Sequence, residues 1–146
     1  MKKFFVVLIA ALFATAALAQ VSNTPAAERM YEVVQEASSE GWMQIGVEDA
    51  ADYIFDVMPV VVDVRTQDEW DDGHLEGAVH FPVQTIGEYL GDMPADLDTP
   101  ILVYCAAGTR GFWAIAYITS LGYNNVKNMR GGYNAWVDAG FPTTAN

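Results

Sequence analysis

Strand-like runs alternate with amphipathic segments along the chain. Val60-Val61-Val62-Asp63-Val64 and Ile101-Leu102-Val103-Tyr104 are nearly continuous apolar runs, the pattern of strands buried on both faces of a parallel sheet. The segments predicted as strands are 60–64, 78–81, 101–104 and 125–129. The segments predicted as helices are 48–56, 85–90, 111–121 and 133–139. Because helices separate the strands, the sequence predicts an α/β fold with a small parallel sheet flanked by helices on both faces.

A further amphipathic helix is predicted ahead of this alternating region, over residues 24–40. Thr24 is placed to cap it, Pro25 takes the first helical position and Gly41 ends it. This helix lies in an N-terminal extension over residues 20–45, and the main domain is predicted over residues 46–143. We expect the helix to pack on the domain surface, with a partner-binding face as the alternative.

The first residues have a different pattern. Lys2 and Lys3 precede an unbroken apolar run from Phe4 to Leu12, which continues through small residues to Ala17-Leu18-Ala19. The run has about 16 residues, whereas a membrane span needs roughly 20, and it ends in a small-x-small site. We therefore predict a signal peptide over residues 1–19, export to the periplasm, and no membrane span in the mature chain.

Acidic residues dominate the rest of the chain. Without Lys2 and Lys3, five cations face 19 acidic residues, which gives a net charge of −14. This charge argues against nucleic acid and anionic membranes as partners. The 127 residues after Ala19 are enough for one domain with one core.

Candidate chemistry centres on one cysteine. Cys105 is the only cysteine in the sequence, so no intramolecular disulfide can form. A lone cysteine is ordinarily a small buried apolar residue, but Cys105 directly follows a predicted strand. Because the carboxyl ends of parallel strands share one edge of the sheet, we expect Arg65, Arg110 and Arg130 to gather near Cys105. Arg65 is expected to pair with Asp68 or Glu69.

The loop after the cysteine has the composition of an anion cradle. Ala106, Ala107 and Gly108 are small enough for the backbone to curl with its N–H groups inward, and a predicted helix N-terminus follows. These dipoles and the charge of Arg110 favour a thiolate, the nucleophilic form of cysteine. The aromatic side chains near the loop are candidates for an apolar wall beside it, with core packing as the alternative: Phe112, Trp113 and Trp136.

No general base is evident beside Cys105. His74 and His80 are the only histidines, and both lie where a structural hydrogen bond is expected. One cysteine and two separated histidines do not form a metal site, so the sequence requires neither a metal nor another cofactor. The predicted chemistry is one in which the thiolate attacks without a base.

Three motifs, in this order and spacing, resemble those of the rhodanese-like sulfurtransferases. The first is Asp63-Val64-Arg65, followed by Glu69-Trp70 and Gly73-His74-Leu75-Glu76-Gly77-Ala78. The second is Tyr104-Cys105-Ala106-Ala107-Gly108-Thr109-Arg110. The third is Arg130-Gly131-Gly132-Tyr133-Asn134-Ala135-Trp136, with Gly140-Phe141-Pro142 after it. The resemblance spans about residues 46–143, nearly the whole mature chain.

The resemblance implies a single rhodanese-like domain whose Cys105 accepts a sulfane sulfur as a persulfide and passes it to a thiophilic acceptor. It implies that Cys105 is the catalytic nucleophile and that the substrate-binding loop consists of Ala106, Ala107, Gly108, Thr109 and Arg110. The implied substrates are a small anionic sulfur donor such as thiosulfate and a thiol or cyanide-like acceptor. Two positions depart from the family pattern, since many members have a cation in place of Ala106 and a serine in place of Gly111.

Two other functions fit the same cysteine. A persulfide carrier or sulfur-binding module that does not turn over would load Cys105 and dock on a periplasmic protein partner through the N-terminal helix. A cysteine phosphatase uses a similar cradle, but its signature has five residues between the cysteine and the arginine, whereas this loop has four. The shorter ring suits a single sulfur better than a phosphoryl group.

Overall fold

The computed structural model describes residues 25–37 and 43–145. The predicted signal peptide lies outside the described residues. The helices are α1 (Pro25–Ala37), α2 (Val47–Val57), α3 (Gln67–Asp71), α4 (Thr109–Ser120) and α5 (Gly132–Asp138), with a 3₁₀ helix at Ile86–Tyr89. The strands are β1 (Gln44–Ile45), β2 (Val60–Asp63), β3 (Val79–His80), β4 (Ile101–Tyr104) and β5 (Val126–Met129). Within the described ranges, no helix is long and apolar enough to cross a membrane.

The five strands form one parallel sheet in the order β1-β5-β4-β2-β3. Val60 lies opposite Ile101, and Asp63 lies opposite Tyr104. Strand β4 is therefore central, and all four of its residues are buried. The predicted α/β fold with a parallel sheet is confirmed, and the carboxyl end of its central strand leads directly into Cys105.

Apolar side chains on the two faces of the sheet form two separate cores. On one face, Val62 and Val103 pack with residues of α4 such as Ile115. On the other face, Leu102 packs with Trp136 of α5 and with residues of α2. Because burial of apolar surface is the main driving force of folding, the alternating side chains of each strand hold helices on both sides of the sheet.

Two elements were not predicted from the sequence. Strand β1 is only two residues long and pairs with β5, where Gln44 lies opposite Asn128. Helix α3 has five residues and begins with a capping box, in which Thr66 Oγ1 accepts from the Glu69 N–H and Glu69 Oε2 accepts from the Thr66 N–H. Neither element is long enough for its apolar residues to show the repeat that is typical of a strand or a helix.

Helix α1 packs against α4, as expected for the N-terminal extension. Val33 is buried, and Arg29 Nε donates to the carbonyl oxygen of Thr119 at 3.2 Å. The helix therefore covers the outer surface of α4, the helix that follows the Cys105 loop.

A buried ion pair closes the carboxyl end of β2. Arg65 binds both carboxylate oxygens of Asp63 and is 3% exposed, while Asp63 is fully buried. The same guanidinium donates to the Gly73 carbonyl oxygen at 2.6 Å and lies 4.0 Å from the centre of the Tyr133 ring. Arg65 therefore pairs with Asp63 and not with Asp68 or Glu69, and it links β2 to α5.

Replacement of Arg65 by methionine should lower the free energy of unfolding by about 3–5 kcal/mol, because the buried carboxylate of Asp63 would lose its cationic partner and keep the backbone N–H of residue 65. Urea unfolding followed by circular dichroism measures this loss. The control is Lys127→Met, which removes a cation that lies 5.5 Å from the centre of the Tyr53 ring and forms no ion pair within residues 25–37 and 43–145; it should cost about 1 kcal/mol or less. Equal losses in the two variants would contradict the role assigned to the pair.

Candidate active site

Cys105 lies at the carboxyl end of β4, in the first position after the strand. The residue is 1% exposed and packs in the core formed with α4. Its Sγ accepts the backbone N–H of Gly108 at 3.1 Å. The thiol therefore lies inside the curve of its own loop, where an N–H dipole favours negative charge on sulfur.

The other N–H groups of this loop complete the cradle. Within the described part of the chain, the N–H groups of Ala106, Ala107, Thr109 and Arg110 donate to no backbone carbonyl. Thr109 and Arg110 belong to the first turn of α4, where a helix has no internal acceptors for its N–H groups. These N–H groups at the helix start, together with that of Gly108, favour an anion beside the loop.

Asn128 braces the loop from β5. Its Nδ2 donates to the Gly108 carbonyl oxygen at 3.1 Å and to Gln44 Oε1 at 2.9 Å. Its Oδ1 has no partner among the described residues and occupies the space that a Cβ at position 111 would need. Gly111, one of the two departures from the family pattern, therefore leaves room for the amide that positions the loop.

Gly132 lies against the backbone of the Cys105 loop. Its φ is 58°, and a Cβ there would overlap the Cys105 carbonyl oxygen and lie 2.8 Å from the carbonyl carbon of Ala106. The next two residues use this approach, because Tyr133 N–H donates to the Cys105 carbonyl oxygen at 2.7 Å and Asn134 N–H to the Ala106 carbonyl oxygen at 3.0 Å. The start of α5 thus fixes the first half of the loop.

Arg110 is held by a carboxylate. Its two terminal nitrogens donate to the two oxygens of Glu69, at 2.6 and 2.7 Å. The hydrogen bonds from Arg110, helped by those from Thr66, lower the pKa of Glu69 to about 2. The pKa of Arg110 is raised, mainly by Glu69 and also by Cys105. Most of the Arg110 charge is thus balanced by Glu69.

The three arginines expected at this edge differ in their partners. Arg65 is paired with Asp63 and Arg110 with Glu69. Arg130 is exposed and forms no ion pair with any residue that the structure describes. Of these three arginines, Arg130 is the one whose charge is not balanced by a bound carboxylate in the described chain.

A pocket of about 380 Å³, here called the flanking pocket, lies beside the loop and Arg130. Its wall includes Phe112 and Trp113, so these two aromatic residues are where the sequence analysis placed them. Trp136 is not, because it is buried in the opposite core and donates its Nε1–H to the Pro142 carbonyl oxygen. For Trp136 the alternative of core packing is correct.

Both histidines have structural contacts. A ring nitrogen of His74 is 3.1 Å from the Trp70 carbonyl oxygen, and one of His80 is 3.0 Å from the Arg65 carbonyl oxygen. The Trp70 ring stacks between the two imidazoles. In the ranges that the structure describes, no cluster of three or more potential metal ligands is found.

The sequence analysis did not identify two residues that position the loop. Asn128 could have been noticed as a polar residue in a buried strand, next to Met129. Glu69 lies 41 positions before Arg110, and the sequence analysis named it only as a possible partner of Arg65 and as part of the first motif. The residues from Ala106 to Arg110 form the loop after Cys105 and the first turn of α4, and their role in substrate binding stays a prediction.

The family model of the Rhodanese-like domain matches residues 47–139 of this chain. A protein named Sulfurtransferase from Allochromatium vinosum is 36% identical over 86 residues, which cover 59% of this chain and 78% of that protein. Thiosulfate sulfurtransferase GlpE from Pseudomonas fluorescens is 38% identical over 77 residues, which cover 53% of this chain and 69% of that protein.

Solved structures show the same architecture. A rhodanese-related protein from Thermoplasma volcanium superposes with a TM-score of 0.63 at 25% identity, covering 70% of this chain and 98% of that one. A rhodanese-like domain protein from Staphylococcus aureus gives a TM-score of 0.62 at 27% identity, covering 70% and 97%. Almost the whole of each of these proteins is thus matched by the part of this chain that carries the sheet.

Gly132→Ala should reduce the reactivity of Cys105 by about 100-fold, because the new methyl group displaces the loop by a fraction of an ångström or more. The rate of alkylation of Cys105 by iodoacetamide measures the effect. Gly140→Ala is the matched control, since Gly140 also has a positive φ, of 79°, but no atom within 4 Å of its Cβ position. Both variants should lose about 1–2 kcal/mol from backbone strain. Equal alkylation rates would contradict the role of the close approach.

Glu69→Gln should flatten the acid part of the stability curve. The pKa of Glu69 is about 2 in the folded protein and about 4.3 in an unfolded chain, so its contribution is complete above pH ~4.3 and is lost as the pH falls towards 2. The free energy of unfolding, measured with urea between these two pH values, should fall less in the variant. Glu88→Gln, which removes an exposed carboxylate outside any ion pair in the described chain, should keep the original slope. An unchanged slope in Glu69→Gln would count against the Arg110 pair.

Proposed function

Since this chain belongs to the Rhodanese-like domain family, we propose that Cys105 takes a sulfane sulfur from thiosulfate or a similar small anionic donor and passes it to a thiophilic acceptor. The chain is a rhodanese-type enzyme of sulfur transfer. The proposal concerns the donor, the acceptor and the residues that perform the transfer.

The hydrogen bond from the Gly108 N–H to Sγ is the observation that supports the proposal most directly. It holds the sulfur against a backbone donor, and a loop of small residues that leads into a helix N-terminus favours an anion in that position. A persulfide extends the side chain by one S–S bond of about 2 Å. The remaining N–H groups of the loop can then bind the outer sulfur as it bears the charge.

In the first half of the reaction, the Cys105 thiolate attacks the outer sulfur of thiosulfate. A bond forms between Sγ and that sulfur, the S–S bond of the donor breaks, and sulfite leaves with the electron pair. In the second half, the acceptor attacks the outer sulfur of the persulfide and the electron pair returns to Sγ as a thiolate. Neither half needs a proton acceptor, in agreement with the structural contacts of both histidines.

Backbone dipoles supply most of the electrostatic stabilisation in this proposal. Ala106 adds no charge, and the Arg110 charge is shared with Glu69. Preorganised N–H groups stabilise developing charge without reorganising during the reaction. The loop therefore acts through its shape, which Asn128 and Gly132 maintain.

We also propose that the protein is exported to the periplasm. The proposal is supported by Lys2-Lys3, the apolar run after them and the small-x-small site that ends at Ala19. Sequencing the N-terminus of the protein isolated from its cells tests it, since cleavage after Ala19 leaves Gln20 first.

Cys105→Ser should abolish persulfide formation and leave the fold intact, because a hydroxyl at pH 7 is not an anionic nucleophile. Intact-protein mass spectrometry after thiosulfate treatment should show a gain of about 32 Da, one sulfur atom, in the wild type only. The same gain in the variant would disprove the assignment of the nucleophile. Repeated turnover of thiosulfate and cyanide by the wild type distinguishes the enzyme from a carrier, which would load once and stop.

A further inference from the structure

The flanking pocket is larger than an inorganic sulfur donor or cyanide requires. Its volume of about 380 Å³ lies within the roughly 300–1,000 Å³ range of sites for organic small molecules. Thiosulfate has five heavy atoms and cyanide has two, so either would leave most of this space unfilled. The pocket therefore fits a cosubstrate with a carbon skeleton.

The pocket adjoins the loop that follows Cys105. Ala107, Gly108 and Thr109 form part of its wall, and Gly108 is also the residue whose N–H donates to Cys105 Sγ. Cys105 itself is not among the residues of the wall. A molecule in the pocket therefore lies against the loop from which the outer sulfur of a persulfide would be transferred.

Two features of the wall indicate the chemistry of the ligand. Phe112 is 41% and Trp113 is 68% exposed, so both rings offer apolar surface for a carbon chain. Arg130 offers a guanidinium whose charge is not held in an ion pair by any residue in the described ranges. A guanidinium fork matches the two oxygens of a carboxylate.

We propose that the flanking pocket binds an organic thiol that carries a carboxylate, and that Arg130 selects this thiol as the sulfur acceptor. The proposal rests on the sulfur-transfer function proposed above and names the class of acceptor for the same site. Arg130 binds the carboxylate, and Phe112 and Trp113 cover the carbon chain. The thiol group then lies at the Cys105 loop.

The transfer balances without a further reagent. The thiolate of the acceptor attacks the outer sulfur of the Cys105 persulfide, and an S–S bond forms between the acceptor and that sulfur. The bond from that sulfur to Sγ breaks, and its electron pair restores the Cys105 thiolate. The product is the persulfide of the acceptor, and nothing is oxidised or reduced overall.

A pair of thiols of equal size tests the proposal. The protein is first loaded with thiosulfate, and the excess is removed. Discharge of the persulfide is then measured against the concentration of 3-mercaptopropionate, which has a carboxylate, or of 3-mercaptopropionamide, which does not. Rates are compared at equal concentrations of the thiolate form. The wild type should reach half-saturation at a concentration about fivefold lower for the carboxylate thiol, the size expected for an exposed charge pair.

Arg130→Gln should reduce this ratio to about one, whereas Arg130→Lys should keep part of it because the charge remains. Lys127→Gln is the matched control, since it makes the same change in net charge in a residue outside the pocket wall and should leave the ratio unchanged. The carboxylates of Glu48 and Asp49 lie near Arg130 without forming an ion pair. They weaken its field, so a ratio much larger than fivefold is not expected.

Trp113→Ala should raise the half-saturation concentration for both thiols and leave their ratio in place. The proposal is overturned if the loaded wild type does not distinguish the two thiols, or if Arg130→Gln and Lys127→Gln change the ratio equally. Either result would leave sulfur transfer itself intact, because the protein would still load and discharge. Failure of the wild type to load with thiosulfate would instead contradict the function proposed for Cys105.

Discussion

Two charges are buried where β2 ends, and water cannot stabilise them there. Removal of a carboxylate and a guanidinium from water costs several kcal/mol for each ion, so each needs a close partner and further hydrogen bonds. Asp63 and Arg65 meet this requirement with each other, and Arg65 adds the Gly73 carbonyl oxygen and the ring of Tyr133. Burial, together with the charge of Asp63, also raises the pKa of Tyr104 well above its ordinary value. The pair therefore contacts two residues close to Cys105. One is Tyr104, which precedes it in β4, and the other is Tyr133 at the start of α5.

The centre of the sheet could be predicted because strands buried on both faces must be apolar along their whole length. Strands β2 and β4 satisfy this condition, and their ends were found within one residue. Strand β1 could not be found in this way, since it exists only through its pairing with Asn128 and Met129, more than 80 positions later. Helix α3 is stabilised by the capping box of Thr66 and Glu69 and not by an apolar side, so its sequence has no helical period.

The candidate site likewise has a part that the sequence predicts and a part that it does not predict. The cradle around Cys105 is local, because it follows from small residues between a strand and a helix, and it could be read from consecutive positions. The partners of that loop are distant in the chain. Three residues contact it from three different elements: Glu69, Asn128 and Gly132. Nothing in the sequence indicates which distant residues will form these contacts. For the same reason the sequence does not predict the pairing of Arg110 with Glu69.

The contact between α5 and the Cys105 loop has a consequence for the dynamics of the protein. Two amides at the start of α5, those of Tyr133 and Asn134, donate to carbonyl groups of the loop, so neither amide can exchange its hydrogen with solvent unless the two segments separate. Local unfolding of the Cys105 loop and of the start of α5 is thus linked. The exchange rates of these two amides report how often the cradle opens, and a bound persulfide that tightens the loop would slow both rates together.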